Sequence, residues 1–88
     1  MKVLIRESFW RDYKKIKDKK LRKQVEKVIL YLNSIKNFGE IKQIKRLNWY
    51  KNYYRIRIGD YRLGIQLKNW ILIIERFLHR KDIYKFFP

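Results

Sequence analysis

The sequence predicts an α+β fold in which two N-terminal helices pack on one face of a small, mainly antiparallel four-stranded sheet. Apolar residues recur at helical spacing in the first half of the chain and alternate with polar residues in the second half. A helical half followed by a stranded half is typical of α+β proteins. The chain has 88 residues and no apparent linker, so we expect one domain, residues 1–88.

The first half predicts a strand and then a helical hairpin. Residues 2–5, KVLI, form a short apolar run that indicates a strand. Ser8 is a candidate N-cap for a first helix, whose apolar positions within residues 9–16 follow helical spacing. A second apolar stripe continues for about four turns through residues 21–35, with charged residues on its opposite side. Both helices therefore have one face to bury.

The second half predicts three further strands. Residues 53–58 alternate tyrosine, arginine and isoleucine, and residues 61–67 resume the alternation after a turn at Gly59-Asp60. Residues 70–78 are almost wholly apolar, which indicates a strand buried on both faces near the middle of the sheet. The basic segment 41–47 is either a loop or the start of a strand. The four expected strands are therefore residues 2–5, 53–58, 61–67 and 70–78.

The composition points to a compact domain with a polyanionic partner. Hydrophobic residues make up 47% of the chain, which argues against disorder. The three tryptophans, Trp10, Trp49 and Trp70, are expected in the core or at its rim. A balance of 24 basic against 8 acidic residues gives a net charge of +16. RNA or DNA is the first expectation for the partner, an anionic membrane surface the second, and an acidic protein the third.

Several classes of function are excluded by the residues present. There is no cysteine and only one histidine, and the acidic residues are scattered, so no spacing predicts a metal site. Ser8 and Ser34 lie far in sequence from His79, which argues against a serine catalytic triad. No glycine-rich phosphate loop occurs either. We expect no cofactor. The N-terminus lacks a secretory signal, and no apolar run is long enough to span a membrane, so we expect a cytoplasmic protein.

The arginines of the second half define the candidate site. Arg55, Arg57 and Arg62 share one face of the predicted sheet and repel one another unless an anion binds there. That anion is a solvent ion, an acidic partner or a phosphate that undergoes reaction. A site of cations, a phenol and one imidazole suits phosphoryl transfer in RNA, since RNA carries its own 2′-OH nucleophile. Arginine binds phosphate oxygens through a planar fork that stays protonated.

Two motifs resemble a known family. YYRIRIGDYRLGIQ, followed by IIERFLHRKDIY, resembles the RelE/ParE superfamily of toxins from toxin–antitoxin modules, and the resemblance covers most of the chain. It implies a RelE-like, microbial-RNase-type fold with a short C-terminal helix. It also implies a ribosome-dependent endoribonuclease, or mRNA interferase, that cuts mRNA in the ribosomal A site by attack of the 2′-OH, without a metal.

The resemblance also implies residue roles. The catalytic candidates it assigns are Arg55, Arg57, Arg62, His79, Arg80 and Tyr84. Arg57 and Arg62 would bind the scissile phosphate, and Arg55 would orient the region of the 2′-OH. His79 is the candidate general base or acid, because histidine is the side-chain type that ordinarily titrates near neutrality. Tyr84 would stack on a base or protonate the leaving oxygen. The candidates for binding ribosomal RNA are Lys23, Lys27, Lys42, Lys45 and Arg46.

The expected partners are the ribosome with its mRNA and a cognate, RelB-like antitoxin. A flexible acidic segment of such an antitoxin complements a surface of this charge. Two alternatives remain from the sequence. One is a ParE-like toxin that inhibits DNA gyrase without cutting nucleic acid, and the other is a small basic RNA- or DNA-binding module without toxicity.

Overall fold

Five strands form one mixed sheet in the computed structural model, which describes all residues from 1 to 88. The strands are β1 (Lys2–Ile5), β2 (Ile44–Arg46), β3 (Tyr53–Ile58), β4 (Tyr61–Lys68) and β5 (Ile71–His79). Their order across the sheet is β1-β5-β4-β3-β2. β1 runs parallel to β5, and the other neighbours are antiparallel.

One long helix and several short ones accompany the sheet. The α-helices are α1 (Glu7–Tyr13), α2 (Lys19–Ser34) and α3 (Ile83–Phe86), and a 3-10 turn spans Phe38–Glu40. The carboxylate of Asp18 caps α2 by accepting from the backbone N–H groups of Lys20 and Leu21, at 2.9 and 3.2 Å. The prediction that Ser8 caps α1 is wrong. Ser8 lies within the helix, and its hydroxyl donates to the carbonyl of Glu75 at 2.5 Å.

The predicted four-stranded sheet under two helices is wrong. The sheet has five strands, because residues 44–46 of the ambiguous basic segment pair with β3, Ile44 lying opposite Ile56. Three residues are too few to display a period-two pattern, so the sequence alone left this strand undecided. The sheet is also mixed, because β1 pairs in parallel with β5, whereas α1 and α2 carry the chain from β1 to β2 at the far edge of the sheet. Only α2 is long, at 16 residues, whereas α1 has seven.

The main core lies between the helices and one face of the sheet. Thirteen buried apolar residues form it, and seven of them are isoleucines. Phe9 of α1 and Leu32 of α2 are fully buried in this cluster, which also contains Phe77 and Ile74 of β5. β5 is an internal strand, between β1 and β4, and β4 is the middle strand of the sheet. None of the helices combines the length and the apolar character that crossing a membrane requires.

The opposite face of the sheet is only partly covered, by α3. Leu47, Ile83 and Phe87 form a second, small buried cluster there. Gly64 lies directly beneath it, and a Cβ at this position would lie 2.9 Å from the ring of Phe87. The absent side chain thus lets the C-terminal segment approach the sheet. The rest of this face, on β3 and β4, is left open.

Two of the three tryptophans are not where the sequence predicted them. Trp49, in the connection between β2 and β3, is 97% exposed, and Trp70, in the turn before β5, is 79% exposed. Both have a backbone in the left-handed region, with φ of 72° and 64°. Hydrophobicity alone places such residues in the core, but these two lie in loops beyond the ends of the strands.

Candidate functional site

Four basic side chains lie side by side on the open face of the sheet. Arg57 on β3 is directly opposite Arg62 on β4, and Lys45 on β2 is directly opposite Arg55 on β3. Adjacent strands are about 4.8 Å apart, so these cations are close neighbours. We call Lys45, Arg55, Arg57 and Arg62 the cationic face. Strand alternation puts Ile56, which separates the two β3 arginines, in the core instead.

α3 brings Tyr84 to the cationic face. Arg55 donates from Nε to the Tyr84 hydroxyl at 2.5 Å. The helix is anchored by Ile83, which is fully buried, while Tyr84 is 62% exposed. A phenol is therefore held beside a guanidinium and is open to a ligand.

Arg62 is a partly buried member of the cationic face. Its guanidinium donates to the carbonyls of Gly59 and Tyr61, at 3.0 and 2.9 Å. Burial lowers the pKa of Arg62, and the neighbouring charges of Arg55 and Arg57 lower it further. No carboxylate accepts from this group, since the ion pairs of the structure are Arg6–Glu75, Arg76–Asp12 and Arg80–Asp60. The local field therefore favours an anion beside Arg62.

Arg80 lies near the same end of the sheet. Its backbone N–H donates to the carbonyl of Asp60 at 2.8 Å, and its Nε lies 4.0 Å from the Asp60 carboxylate. Both side chains are largely exposed, at 60% and 75%, so this ion pair is weak. Arg80 also contributes to the lowered pKa of Arg62, after burial and the two arginines of β3. The structure thus brings Arg80 into the electrostatic neighbourhood of the cationic face.

His79 lies apart from the cationic face. It is opposite Tyr61 across the β4–β5 ladder, and the two rings meet edge to face with centroids 5.4 Å apart. Tyr61 in turn stacks on Phe77 of the main core. His79 therefore points to the helix side of the sheet, where Nδ1 accepts from the backbone N–H of Lys81 at 3.1 Å. It lines a cavity of about 400 Å³ there together with Asp12.

The five candidates for RNA binding are spread around the cationic face. Lys45 belongs to it, and Lys27 and Lys42 line a groove of about 350 Å³ that reaches Arg57. Arg46 is exposed at the end of β2. Lys23 lies one turn before Lys27 on the exposed side of α2. Lys27, Lys42 and Arg57 therefore share one groove between α2 and β3.

Sequence reasoning missed a buried ion pair beneath α1. Asp12 is only 7% exposed, and its carboxylate accepts from Arg76 Nε at 2.8 Å, from a terminal nitrogen of Arg76 at 3.1 Å, and from the backbone N–H of Phe77 at 2.9 Å. The hydrogen bond to Asp12 raises the pKa of Arg76. The partners lie 64 residues apart in sequence, so no local pattern indicates the pair.

Chemically, the cationic face is suited to a phosphate. Several guanidinium groups and an ammonium can neutralise phosphate oxygens, and a phenol stands beside them. No group of three or more histidine, cysteine, aspartate or glutamate side chains is placed to hold a metal ion. Fold and site together define a small α+β protein with an open cationic face.

Comparisons with known proteins identify the family. Residues 3–84 match the ParE toxin family of type II toxin–antitoxin systems (parDE). Toxin RelE3 of Methanocaldococcus jannaschii is 39% identical over 89 residues, and the match covers all of both chains. The RelB-RelE antitoxin-toxin complex from Methanococcus jannaschii contains a chain with a TM-score of 0.77 and 38% identity, covering 97% of this chain and 99% of that one.

A more distant structure has the same fold. A chain of the archaeal RelE-RelB complex from Pyrococcus horikoshii has a TM-score of 0.69 at 19% identity, covering 90% of this chain and 93% of that one. The protein described here belongs to the ParE/RelE family of toxins of type II toxin–antitoxin systems. The predicted family resemblance is thereby confirmed, and with it the function as a toxin of a toxin–antitoxin system.

Proposed function

We propose that this toxin is a ribosome-dependent endoribonuclease that cleaves mRNA in the ribosomal A site. The observation that carries the proposal is the cationic face, where Arg55, Arg57 and Arg62 have no carboxylate partner and Tyr84 lies beside them. Such a face accommodates the charge that develops on a phosphate during transfer. The likeness to toxin RelE3 supports the RelE-like branch of the family.

The proposed reaction uses the substrate's own nucleophile. The 2′-oxygen attacks the adjacent phosphorus, the bond to the 5′-oxygen breaks, and a 2′,3′-cyclic phosphate forms. A general base takes the proton of the 2′-OH, and a general acid donates a proton to the leaving 5′-oxygen. Arg57 and Arg62 would bind the non-bridging oxygens, and Arg55 would orient the sugar. No metal ion takes part in this scheme.

One proton carrier is proposed from its contact with the cationic face. Tyr84 would protonate the leaving oxygen, a role supported by its exposure and by the hydrogen bond that its hydroxyl accepts from Arg55 at 2.5 Å. The role of His79 stays a prediction, since its ring lies against Tyr61 on the other side of the sheet. Arg80 stays a candidate for neutralising a flanking phosphate. The ribosome would align the substrate that this small site leaves unaligned.

The proposed partners follow from charge and from the relatives. Lys23, Lys27, Lys42 and Arg46 would hold ribosomal RNA around the cationic face, in the cytoplasm where translation occurs. A RelB-like antitoxin would inhibit the toxin by covering the cationic face with an acidic segment. The RelB-RelE antitoxin-toxin complex, one chain of which resembles this protein, supports such a partner.

The test is primer extension on an mRNA under translation in a reconstituted system. Purified toxin, the Arg62→Ala variant and the His79→Ala variant run beside the same RNA without ribosomes. Arg11→Ala, which removes an exposed arginine of α1 outside the cationic face, is the matched control. We expect cuts within A-site codons that are lost in Arg62→Ala and kept in Arg11→Ala.

The other outcomes separate the alternatives. Cleavage of free RNA would keep the nuclease and remove the dependence on the ribosome. Intact message in every lane, from a protein that still arrests growth, would contradict the nuclease. A supercoiling assay with DNA gyrase would then test the second candidate, which the match to the ParE family favours.

A further inference from the structure

A pocket opens beside the cationic face, between the β2–β3 connection and the C-terminal segment. It has a volume of about 290 Å³. Its walls are aromatic, and its rim is basic. The aromatic residues are Trp49, Tyr50, Tyr84 and Phe87, and the basic residues are Lys45 and Arg46. We call this the aromatic pocket.

Most of the aromatic residues in and near the aromatic pocket are explained by packing. Phe87 is buried in the small cluster under α3, and the ring of Tyr53 meets it edge to face with centroids 5.7 Å apart. Tyr50 packs against Tyr53 in the same way, at 6.3 Å. These contacts fix the floor and one side of the pocket.

Trp49 has no such explanation. It is 97% exposed, so its indole contributes almost nothing to the core. Its φ of 72° is in the left-handed region, which disfavours any residue with a large side chain. Trp70 shares this backbone conformation, so the position of Trp49 beside the cationic face is what distinguishes it. Neither packing nor backbone preference accounts for the indole at this position.

The aromatic pocket is continuous with the cationic face. Lys45 belongs to both, and it lies directly opposite Arg55, one strand spacing of about 4.8 Å away. Tyr84 also belongs to the pocket and accepts the hydrogen bond from Arg55. A nucleotide whose phosphate lies on Arg55 therefore has its neighbouring base within reach of the pocket.

We propose that the aromatic pocket binds a nucleobase of single-stranded RNA, with the Trp49 indole as its stacking platform. This inference rests on the proposed function in that it takes RNA as the substrate. Exposed aromatic rings beside cations bind unpaired nucleic acid, because the rings stack on bases while the cations follow the phosphates. Lys45 and Arg46 supply those cations at the rim, in a chain with a net charge of +16.

The test is equilibrium binding of the full chain to a 2′-O-methylated oligoadenylate. This probe has no free 2′-OH, so it cannot be cleaved. A matched oligomer of abasic sugars carries the same phosphates without bases. We expect Trp49→Ala to weaken binding of the oligoadenylate by about 5- to 150-fold. Binding of the abasic oligomer should not change, and Trp49→Phe should keep most of the affinity.

Trp70→Ala is the matched control. Trp70 shares the exposure and the left-handed backbone of Trp49 but is not part of the aromatic pocket. The control should bind like the wild type. Addition of oligoadenylate should quench tryptophan fluorescence in Trp70→Phe and leave it unquenched in Trp49→Phe, which reports direct contact with the indole.

Several results would overturn the proposal. They are equal affinities of Trp49→Ala and Trp70→Ala, an equal loss on the abasic oligomer, and no binding of oligoadenylate by the wild type. If Trp49→Ala kept its affinity for the oligoadenylate but bound an acidic peptide more weakly than the wild type does, the pocket would be a protein-docking surface and the proposal would be wrong. The assay is independent of cleavage. Base-dependent binding without cleavage would therefore contradict only the nuclease, and cleavage that ignores Trp49 would contradict only this inference.

Discussion

Arg62 and Arg76 lie on neighbouring strands of one sheet, in opposite electrostatic settings. Arg76 donates two hydrogen bonds to the buried carboxylate of Asp12, and this contact raises its pKa. Arg62 donates only to carbonyls, and burial together with Arg55 and Arg57 lowers its pKa.

The difference separates a charge that stabilises the fold from one that is held ready for a ligand. The Asp12–Arg76 pair satisfies both of its charges within the chain and ties α1 to β5. The cationic face gathers like charges, which costs stability in the free protein and favours a bound anion. Four substitutions test this contrast, and they follow in order of expected effect.

Arg62→Ala should have the largest effect, and on activity. Loss of a group that stabilises developing charge lowers the rate by about 10²- to 10³-fold. The rate of A-site cleavage under single-turnover conditions measures this. The urea midpoint should move little, because Arg62 gives up two hydrogen bonds and its removal also relieves repulsion. A cleavage rate of Arg62→Ala equal to that of Arg11→Ala would contradict a role for Arg62 in stabilising the developing charge.

Asp12→Ala should have the largest effect on stability. It leaves Arg76 and the backbone N–H of Phe77 without their acceptor, and we expect a loss of about 2–3 kcal/mol in the free energy of unfolding. Urea denaturation followed by circular dichroism measures the change. Asp60→Ala is the control, since that carboxylate is 75% exposed and its loss should leave the midpoint unchanged. Equal effects of the two substitutions would show that the buried pair stabilises nothing.

Arg57→Gln should stabilise the fold while lowering cleavage. Arg57 and Arg62 form a directly opposed like-charge pair across β3 and β4. Removing one charge should raise the free energy of unfolding by about 0.2–1 kcal/mol. The gain should shrink as salt is added, because exposed charges are screened. A loss of stability at low salt would contradict the picture of a repulsive face.

Tyr84→Phe should have the smallest effect on stability, within about 0.5 kcal/mol, because the side chain is largely exposed. It removes the acceptor of the Arg55 hydrogen bond and keeps the ring. We expect cleavage to fall while affinity for the oligoadenylate stays the same. Unchanged cleavage would remove the proton-transfer role and leave Tyr84 as a stacking residue.

The sequence by itself determined most of the helices and strands and the shared face of the three arginines, whereas the place of Lys45 beside them depended on the pairing of β2 with β3. Period-two alternation sufficed to predict that Arg55 and Arg57 share a face, because alternate side chains of a strand point to opposite sides. Helical spacing likewise predicted α2. The family could also be predicted from the sequence, since its motif lies in continuous stretches of β3, β4 and the C-terminal segment.

Only the tertiary structure decided what depends on residues distant in sequence. The parallel pairing of β1 with β5, the Asp12–Arg76 pair and the approach of Phe87 to Gly64 join separate parts of the chain. The same holds for His79, which the motif groups with the arginines. Its position opposite Tyr61 in the β4–β5 ladder turns the imidazole to the other side of the sheet. Local patterns set the direction of a side chain within a strand, but the pairing of strands sets its neighbours.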